Sequence, residues 1–523
     1  MAEKFNKMSF FSNLFKNITK IKAPEEMLAE ASAQGGLEKT LGVWDLIILG
    51  VGAIIGSGIF AVVGIAAAGN SETIGAGPAL IVSMVIAAIA CVFSALCYSE
   101  FATMIPVAGG AYTYTFATLG EFAAWMVGWV LMLEYGIGFI AVACAWSNHF
   151  VQFLSNFDHV LPAWLAHPPA WLTYDIFTLG NMVKDDPTLQ VPVLFGVPIG
   201  INLPAILIVL LITAILVKGT KDSTKMAGLM VFIKMAVIAL FVFAGAFFVQ
   251  PENWTPFAPN GASGIFSGAF LIFFAYIGFD ALATAAEECK NPQKDLPIGI
   301  IGSLLVTTIV YVLVALVLTG MQDTSNPVSG DFLKAPMAFC MAMTGKGWAT
   351  YASYFIAIGS LAGLTSVLLV LEMAATRILF AMSRDNFISS KFQKIDKKFK
   401  TPALLTWTVG LLAVAGILTL NLDVAAELCN YGTFTSFIIV CVAVLILRHT
   451  DPDRHRPFKV PFSPITPTLG ILCCGGLMVY KSLGAGSSAM LFPLWIVIGI
   501  LIYAFYGYIK NRIQENKVRE LEN

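Results

Sequence analysis

The amino-acid sequence predicts an all-α polytopic membrane protein of twelve transmembrane helices, ten in a five-plus-five inverted repeat and two appended at the C-terminus. Three observations carry this. Of 523 residues, 58% are hydrophobic and only 12% charged, about half the ~25% charge of soluble domains. The mean hydropathy is +0.80, and at ~20 residues per span the apolar runs make a dozen crossings. Two of those runs, five spans apart, carry irregular stretches. The composition excludes a soluble enzyme, a nucleic-acid binder and a disordered scaffold. The net charge of −1 is silent on partners, because in a membrane protein the distribution of positive charge over loops is what matters.

Taken in order, the spans are expected near 43–69, 78–104, 121–150, 202–218, 226–249, 264–289, 297–320, 350–382, 403–420, 424–447, 466–482 and 491–509. This divides the chain into a cytoplasmic tail (1–42), a first repeat (43–249), a second repeat (264–447), two added helices (466–509) and a C-terminal tail (510–523). The longest loop, near 151–201, is rich in Pro, Trp and Asp and lacks the periodicity of an independent fold. The first forty residues hold six lysines and no cleavable apolar core, so they read as a tail and not as a signal peptide. Within it, MSFFSNLFKNITKIK fits either a surface helix, with Lys16, Lys20 and Lys22 toward anionic lipid, or a disordered segment.

With both termini inside, 26 of the 31 Lys and Arg fall on the cytoplasmic side, four (Lys184, Lys334, Lys346 and Lys481) fall outside, and Lys234 lies within a span. The positive-inside rule therefore fixes the orientation, and an odd number of spans would break the partition. A six-plus-six architecture would be expected to join its halves by a long basic loop. Here the loop after span six is only KNPQKDLP. Eight of the nine cysteines lie in or at the ends of apolar runs, leaving Cys340 as the only loop thiol, and there is no CxxC pair; no disulfide framework is expected.

The irregular stretches are GAIIGSGIF (Gly52 to Phe60) in span one and FFAYIGFD (Phe273 to Asp280) in span six. Glycine weakens a helix by ~1 kcal/mol relative to Ala, and in hydrocarbon the freed backbone groups must find protein, ligand or water. The amides of Gly56, Ser57 and Gly58 would stand at the positive start of an outer half-helix and can hold a carboxylate. Carbonyls near Ile55, Phe274 and Ile277 can accept from an ammonium group. A small zwitterion satisfies both ends, and Phe274 and Ile277 would then shape the pocket for its side chain. Close helix packing through small residues is the alternative.

Lys234 lies about ten residues into span five, ~15 Å deep at ~1.5 Å per residue and close to the middle of a ~30 Å core. A charged amine there is costly, so its protonation should respond to whether the site is closed or wet. On span eight, Ala362, Thr365 and Ser366 in SLAGLTSVLL can turn a carbonyl and two hydroxyls toward one point, where the ammonium would take the place of a metal cation. Hydroxyls bonded back to their own helix are the alternative. Glu134, mid-span in LMLEYGIGF, could meet a basic substrate side chain or bond a neighbouring helix. Asp280 and Glu372 are expected to be structural, and Asp45, Glu287, Glu288 and Arg384 lie near the cytoplasmic face as gate candidates. The five histidines fall in loops or at span ends, so no intramembrane metal cluster is expected.

GLEKTLGVWDLIILGVGAIIGSGIF, CYSEFATMIPVAGGAYTY, LEYGIGFIAVACAWS, FFAYIGFDALATAAEECKNPQKDLPIGI and TRILFAMSRD together resemble the cationic amino acid transporter family of the amino acid, polyamine and organocation superfamily, over about residues 35–510. The resemblance implies the leucine-transporter fold and secondary transport of amino acids across the cell (inner) membrane. By motif it implies that the amino acid backbone rests on Ile55, Gly56, Ser57 and Gly58 and on Phe274, Ala275 and Ile277. It further implies that Leu364 sets substrate size, that Lys234 is the proton-linked lysine of bacterial members, and that Glu134 is the family's helix-three glutamate. Where the family usually has Gly-Gln after the helix-eight LLV run, this chain has Glu372-Met373-Ala374-Ala375, so gating detail does not carry over. Bacterial members also carry neutral amino acids, and cationic selectivity does not follow.

The function expected is a secondary active amino acid permease, a proton-coupled symporter working by alternating access, with an obligate amino acid exchanger as the alternative. The partners expected are an amino acid, protons and the lipid bilayer, with a small accessory membrane subunit as a further candidate. No cofactor, catalytic constellation or nucleic-acid partner is expected.

Overall fold

The computed structural model describes residues 21–22, 41–70, 73–105, 109–186, 188–219, 223–284, 289–326, 328–396, 398–399, 401–484 and 486–522. The principal helices are α1 (Val43–Ile54), α2 (Val63–Ala68), α3 (Leu80–Met104), α4 (Gly110–Thr118), α5 (Glu121–Leu131), α6 (Gly138–Ser155), α7 (Leu203–Lys218), α8 (Ser223–Gly245), α9 (Gly261–Ile272), α10 (Pro292–Met321), α11 (Gly347–Arg384), α12 (Ala403–Ile417), α13 (Leu422–Thr450), α14 (Ile465–Leu483) and α15 (Ser487–Glu522). Residues 8–20 of MSFFSNLFKNITKIK and the gate candidates Glu287 and Glu288 fall outside the described residues, while Lys22, expected to face lipid, pairs with the Asp385 carboxylate at 3.1 Å.

Among the described residues, eight helices are long and apolar enough to cross a membrane, and α1 with the segment Gly58–Ala68 passes the same test as a pair bent by 47°. Leu203–Lys218 and Ala403–Ile417 are shorter apolar helices. Their outward faces stay greasy: Leu207 and Leu211 on α7, Leu305 and Ile309 on α10, and Leu411 and Leu412 on α12 are exposed, as expected of helices that are hydrophobic all round because lipid covers one side.

α10 starts at Pro292, five residues before the expected boundary. Pro at the first helical turn costs no hydrogen bond, and the Asp295 carboxylate accepts from the Asn291 N–H at 3.2 Å. The 151–201 loop is not featureless: it holds Ala163–Ala166, Ala170–Thr173, Ile176–Asp185 and a hairpin pairing Val193–Leu194 with Val197–Pro198. Cys340 is not a loop thiol. It lies buried in the short helix Pro336–Met343, which the sequence hides because that apolar run is too short to read as a span. All nine cysteines are free.

In the interior, α10 packs on both α1 and α3, α8 lies along α11, α6 and the turn before it lie against α11 and α13, and α7 lies along α12. This arrangement surrounds the two irregular segments with long, regular helices.

Candidate functional site

α1 ends where Ile55 leaves the helical region with ψ 106. The chain resumes as a widened turn, Gly58–Val62, whose first backbone bonds run from the Ile59 and Phe60 N–H groups to the Gly56 carbonyl at 3.3 Å. In the second segment α9 tightens into a 3-10 turn over Phe273–Tyr276, and helical bonding lapses at Ile277 (ψ 139) and Gly278 (φ +118) before Ala281–Thr284. Only glycine adopts that φ at low cost, and any Cβ at 278 would also stand 2.9 Å from the Ala53 carbonyl oxygen.

The two breaks touch each other. A Cβ on Gly58 would fall 2.2 Å from the Ala275 Cα, so glycine is what allows one backbone to lie against the other. From α10, the Tyr311 hydroxyl spans the junction, reaching the Ile54 carbonyl at 3.1 Å and the Ala275 carbonyl at 2.7 Å. Sequence reading missed this residue. Its signal was a tyrosine in the apolar run TTIVYVLVALVL, since a buried phenol seeks a partner.

A small cavity opens beside the junction. Gly56, Ser57 and Gly58 line it from the first break and Phe274, Ile277 and Gly278 from the second, with Glu134, Tyr135 and Val142, then Val367, Val370 and Leu371 of α11, and Cys429 of α13. Its volume is about 30 Å³, room for about two waters at ~10–15 Å³ each, so anything larger enters only as the helices part. Of the nine residues expected at a substrate site, Gly56, Ser57, Gly58, Phe274, Ile277 and Glu134 line this cavity. Ile55, Ala275 and Leu364 are buried and are not in its lining. The Ile55 and Ala275 carbonyls are engaged by Lys234 and Tyr311.

Lys234 is fully buried. Its Nζ donates to the Gly52 carbonyl, to the Ile55 carbonyl at 2.8 Å and to the Ser366 Oγ at 3.4 Å. The lysine thus caps carbonyls that the α1 break releases, the groups a membrane interior would leave unsatisfied. Of the span-eight residues expected around it, Ser366 is brought in, while its hydroxyl also donates back to the Gly363 carbonyl at 2.7 Å. Thr365 is not: its Oγ1 accepts from the Trp146 indole N–H at 3.1 Å and donates to the Leu361 carbonyl at 2.7 Å. The Ala362 carbonyl expected at this point is not among the acceptors of Lys234, which are Gly52, Ile55 and Ser366.

Glu134 sits inside a second widened turn, Met132–Ile137, between α5 and α6. Such turns recur at functional positions. One carboxyl oxygen accepts from the Ser436 hydroxyl at 3.3 Å. Asp280 accepts from the Tyr135 hydroxyl. Glu372 accepts from the Thr213 hydroxyl at 2.7 Å, linking α11 to α7 away from the cavity. Asp45 accepts from the Gly42 N–H at 2.9 Å and so caps its own helix.

A family model described as amino acid permease matches residues 41–506. The chain belongs to the amino acid permease family. The match agrees with the superfamily that the quoted segments resemble, and the members of the family are transporters, not enzymes. The chain is 41% identical over 486 residues to the branched-chain amino acid permease BcaP of Bacillus subtilis (strain 168), covering 93% of this chain and 97% of that protein. It is 39% identical over 496 residues to the methylthioribose transporter of the same organism, with 95% and 98% covered. Cationic amino acid transporter 9, chloroplastic, of Arabidopsis thaliana is 35% identical over 435 residues, with 83% of this chain and 71% of that protein covered.

Proposed function

We propose that this permease is a proton-coupled symporter of L-amino acids that works by alternating access, with Lys234 as the coupling group. The observation that carries the proposal is the buried Lys234 Nζ on the carbonyls of Gly52 and Ile55. While protonated, the amine supplies both charge and donors to the broken end of α1. On losing its proton it holds that end more weakly, so proton release is linked to movement of the segment that carries Gly56, Ser57 and Gly58.

The amides of those three residues lie ahead of the first bonds of the turn, where helix N–H groups have no upstream partner, and they suit a carboxylate. Carbonyls of the Phe274–Ile277 stretch suit the α-ammonium. Val142, Val367, Val370 and Leu371 offer the side chain an apolar, branched surface, which favours a branched aliphatic amino acid, in line with the name of one relative. Glu134 is the one lining residue suited to a basic side chain.

The architecture we infer is twelve spans: the nine apolar crossings with α7, α12 and α14, divided into repeats 43–249 and 264–447 with 466–509 appended. Packing supports the repeat. Shifting each span by five turns the α1–α10 pair into α9–α3, the α8–α11 pair into α13 with the α5–α6 span, and α7–α12 into itself, and each of these pairs is in contact. With the loop charges, the reading places both tails in the cytoplasm and the protein in the cell membrane.

Purified protein in liposomes tests the function. Uptake of an amino acid under an inward pH gradient, with none inside, supports symport. Uptake only into amino-acid-loaded vesicles would instead make it an obligate exchanger. Competition by each of the twenty amino acids defines the side chain accepted.

A further inference from the structure

The loop between α6 and α7 carries a hairpin that the transport scheme does not use. Val193–Leu194 pairs with Val197–Pro198, and both residues of the turn between them take positive φ, 51 at Phe195 and 82 at Gly196. Such a turn ordinarily holds Asn-Gly or Gly-Gly, and a bulky residue enters the left-handed region only against steric resistance. The strain brings no internal contact in return. Phe195 is 97% exposed, and Val193, Leu194 and Val197 are each more than half exposed. Even a Cβ on Gly196 would meet nothing within 4 Å.

The base of the hairpin, in contrast, is fastened. The Ile199 N–H donates to the Pro192 carbonyl at 2.8 Å, and the Ile201 N–H donates to the Trp171 carbonyl at 2.9 Å. Asn202, just before α7, accepts from the Ser147 hydroxyl of α6 at 2.6 Å. The short helix Ile176–Asp185 packs on the second strand, and its Ile176 N–H donates at 3.2 Å to the Leu418 carbonyl just past α12. A fastened base with a bare apolar tip makes a projection, and an exposed apolar patch of this kind marks a contact surface.

What covers the tip follows from its neighbours. From Pro187 to Val217 the chain has no Asp, Glu, Lys, Arg or His, so the hairpin runs without a charge into α7. The outward row of α7, Leu203, Leu207 and Leu211, is exposed and is the face that lipid covers. The chain from Val197 to Leu203 spans at most ~20 Å, which keeps the tip near the rim where that row begins. A strand from another protein fits poorly, because each strand is two residues long and Pro198 has no N–H to offer it.

We propose that this hairpin is a membrane anchor, with Val193, Leu194, Phe195 and Val197 seated at the boundary between lipid headgroups and acyl chains. The leaflet is the one around the start of α7, the outer one in the orientation given above. Insertion is shallow, because irregular backbone is not tolerated in hydrocarbon, while apolar side chains are stabilised at the boundary. The anchor sets the depth of the α7–α12 pair while the broken segments move. The proposal rests on α7 being one of the twelve spans and not on symport.

Fluorescence of the full-length protein in phosphatidylcholine–phosphatidylglycerol vesicles tests this. Cys473 is the one cysteine that is not buried, so the background is Cys473→Ser. An environment-sensitive dye is attached at Leu194→Cys, at Leu211→Cys as a lipid reference and at Ser325→Cys, an exposed loop position, as a water reference. The Leu194 dye is expected to be quenched by nitroxide lipids, more by headgroup and shallow-chain labels than by deep ones, and to be about threefold less open to iodide than the Ser325 dye. Adding Phe195→Asp should raise its iodide quenching to the Ser325 level. A Leu194 dye as open to iodide as the Ser325 dye overturns the proposal, and so does a dye indifferent to Phe195→Asp. Protection that grows with the protein-to-lipid ratio overturns it as well, because a second copy would then cover the tip. A Leu211 dye open to iodide would refute α7 as a span, a failure read separately from the Leu194 result.

Discussion

The Ala275 Cα occupies the space where Gly58 would carry a side chain: a Cβ built there falls 2.2 Å from it and 2.3 Å from the Ala275 Cβ. Backbone cannot swing aside as a flexible side chain does, so a larger residue must push the two breaks apart. Gly58→Val is expected to remove substrate binding, at least 10-fold in affinity, with the protein still monodisperse in detergent. Calorimetric titration with the best competitor from the uptake panel checks this. Unchanged affinity would place the carboxylate elsewhere.

Removing the Lys234 side chain leaves the Gly52 and Ile55 carbonyls buried without a donor, a cost of ~1–3 kcal/mol for such a group. Lys234→Ala is expected to abolish uptake driven by a pH gradient while binding persists at reduced affinity. Normal pH-driven uptake in this variant would end the coupling role. Lys234→Arg should not restore function, because a guanidinium keeps its proton at all relevant pH.

The two breaks were legible because irregular stretches recur in two apolar runs five spans apart, and Lys234 was legible because a lone lysine at that depth must find acceptors. Side-chain partners on regular helices were less so. Thr365 and Ser366 are adjacent in sequence and both carry hydroxyls, yet ~100° of helix rotation per residue sends one to Trp146 and the other to Lys234. Spacing alone did not choose between them. Tyr311 joins elements far apart in the chain, and no local pattern reports such a meeting. The short helix holding Cys340 was hidden for the opposite reason, since its run is too brief to register as a span.

That divergence has a measurable consequence. Ser366→Ala removes a hydroxyl that accepts from Lys234, so it should shift the pH profile of uptake. Thr365→Ala removes the tie from α11 to Trp146, and its effect should be a stability loss of ~1 kcal/mol with the pH profile unchanged. Thermal unfolding in detergent and uptake across pH separate the two. An altered pH profile for Thr365→Ala alone would reverse the assignment.

Tyr311→Phe keeps the ring and deletes only the hydroxyl that spans Ile54 and Ala275. Two buried carbonyls then lose that donor, and a destabilisation of ~1–3 kcal/mol is expected. Because both acceptors belong to the breaks, the maximal rate of uptake should also fall while surface expression holds. A variant with wild-type melting temperature and rate would show that the two breaks hold together without the tyrosine.

Far from the cavity, Glu100 on α3 is 1% exposed and gathers two arginines. Arg448 reaches it at 3.2 Å through Nε and 2.5 Å through the second nitrogen, Arg456 pairs with it at 3.4 Å, and the Val460 N–H donates at 2.7 Å. The cluster fastens α3 to the end of α13 and to the loop before α14. Deleting one partner of a buried ion pair strands the others, which costs ~3–5 kcal/mol, so Glu100→Ala should lower the melting temperature sharply and reduce the yield of folded protein. Glu100→Gln keeps the shape but not the charge and should recover only part of the loss, because two guanidinium groups would still share one neutral amide. Equal stability of Glu100→Ala and wild type would mean that water already reaches and solvates this cluster.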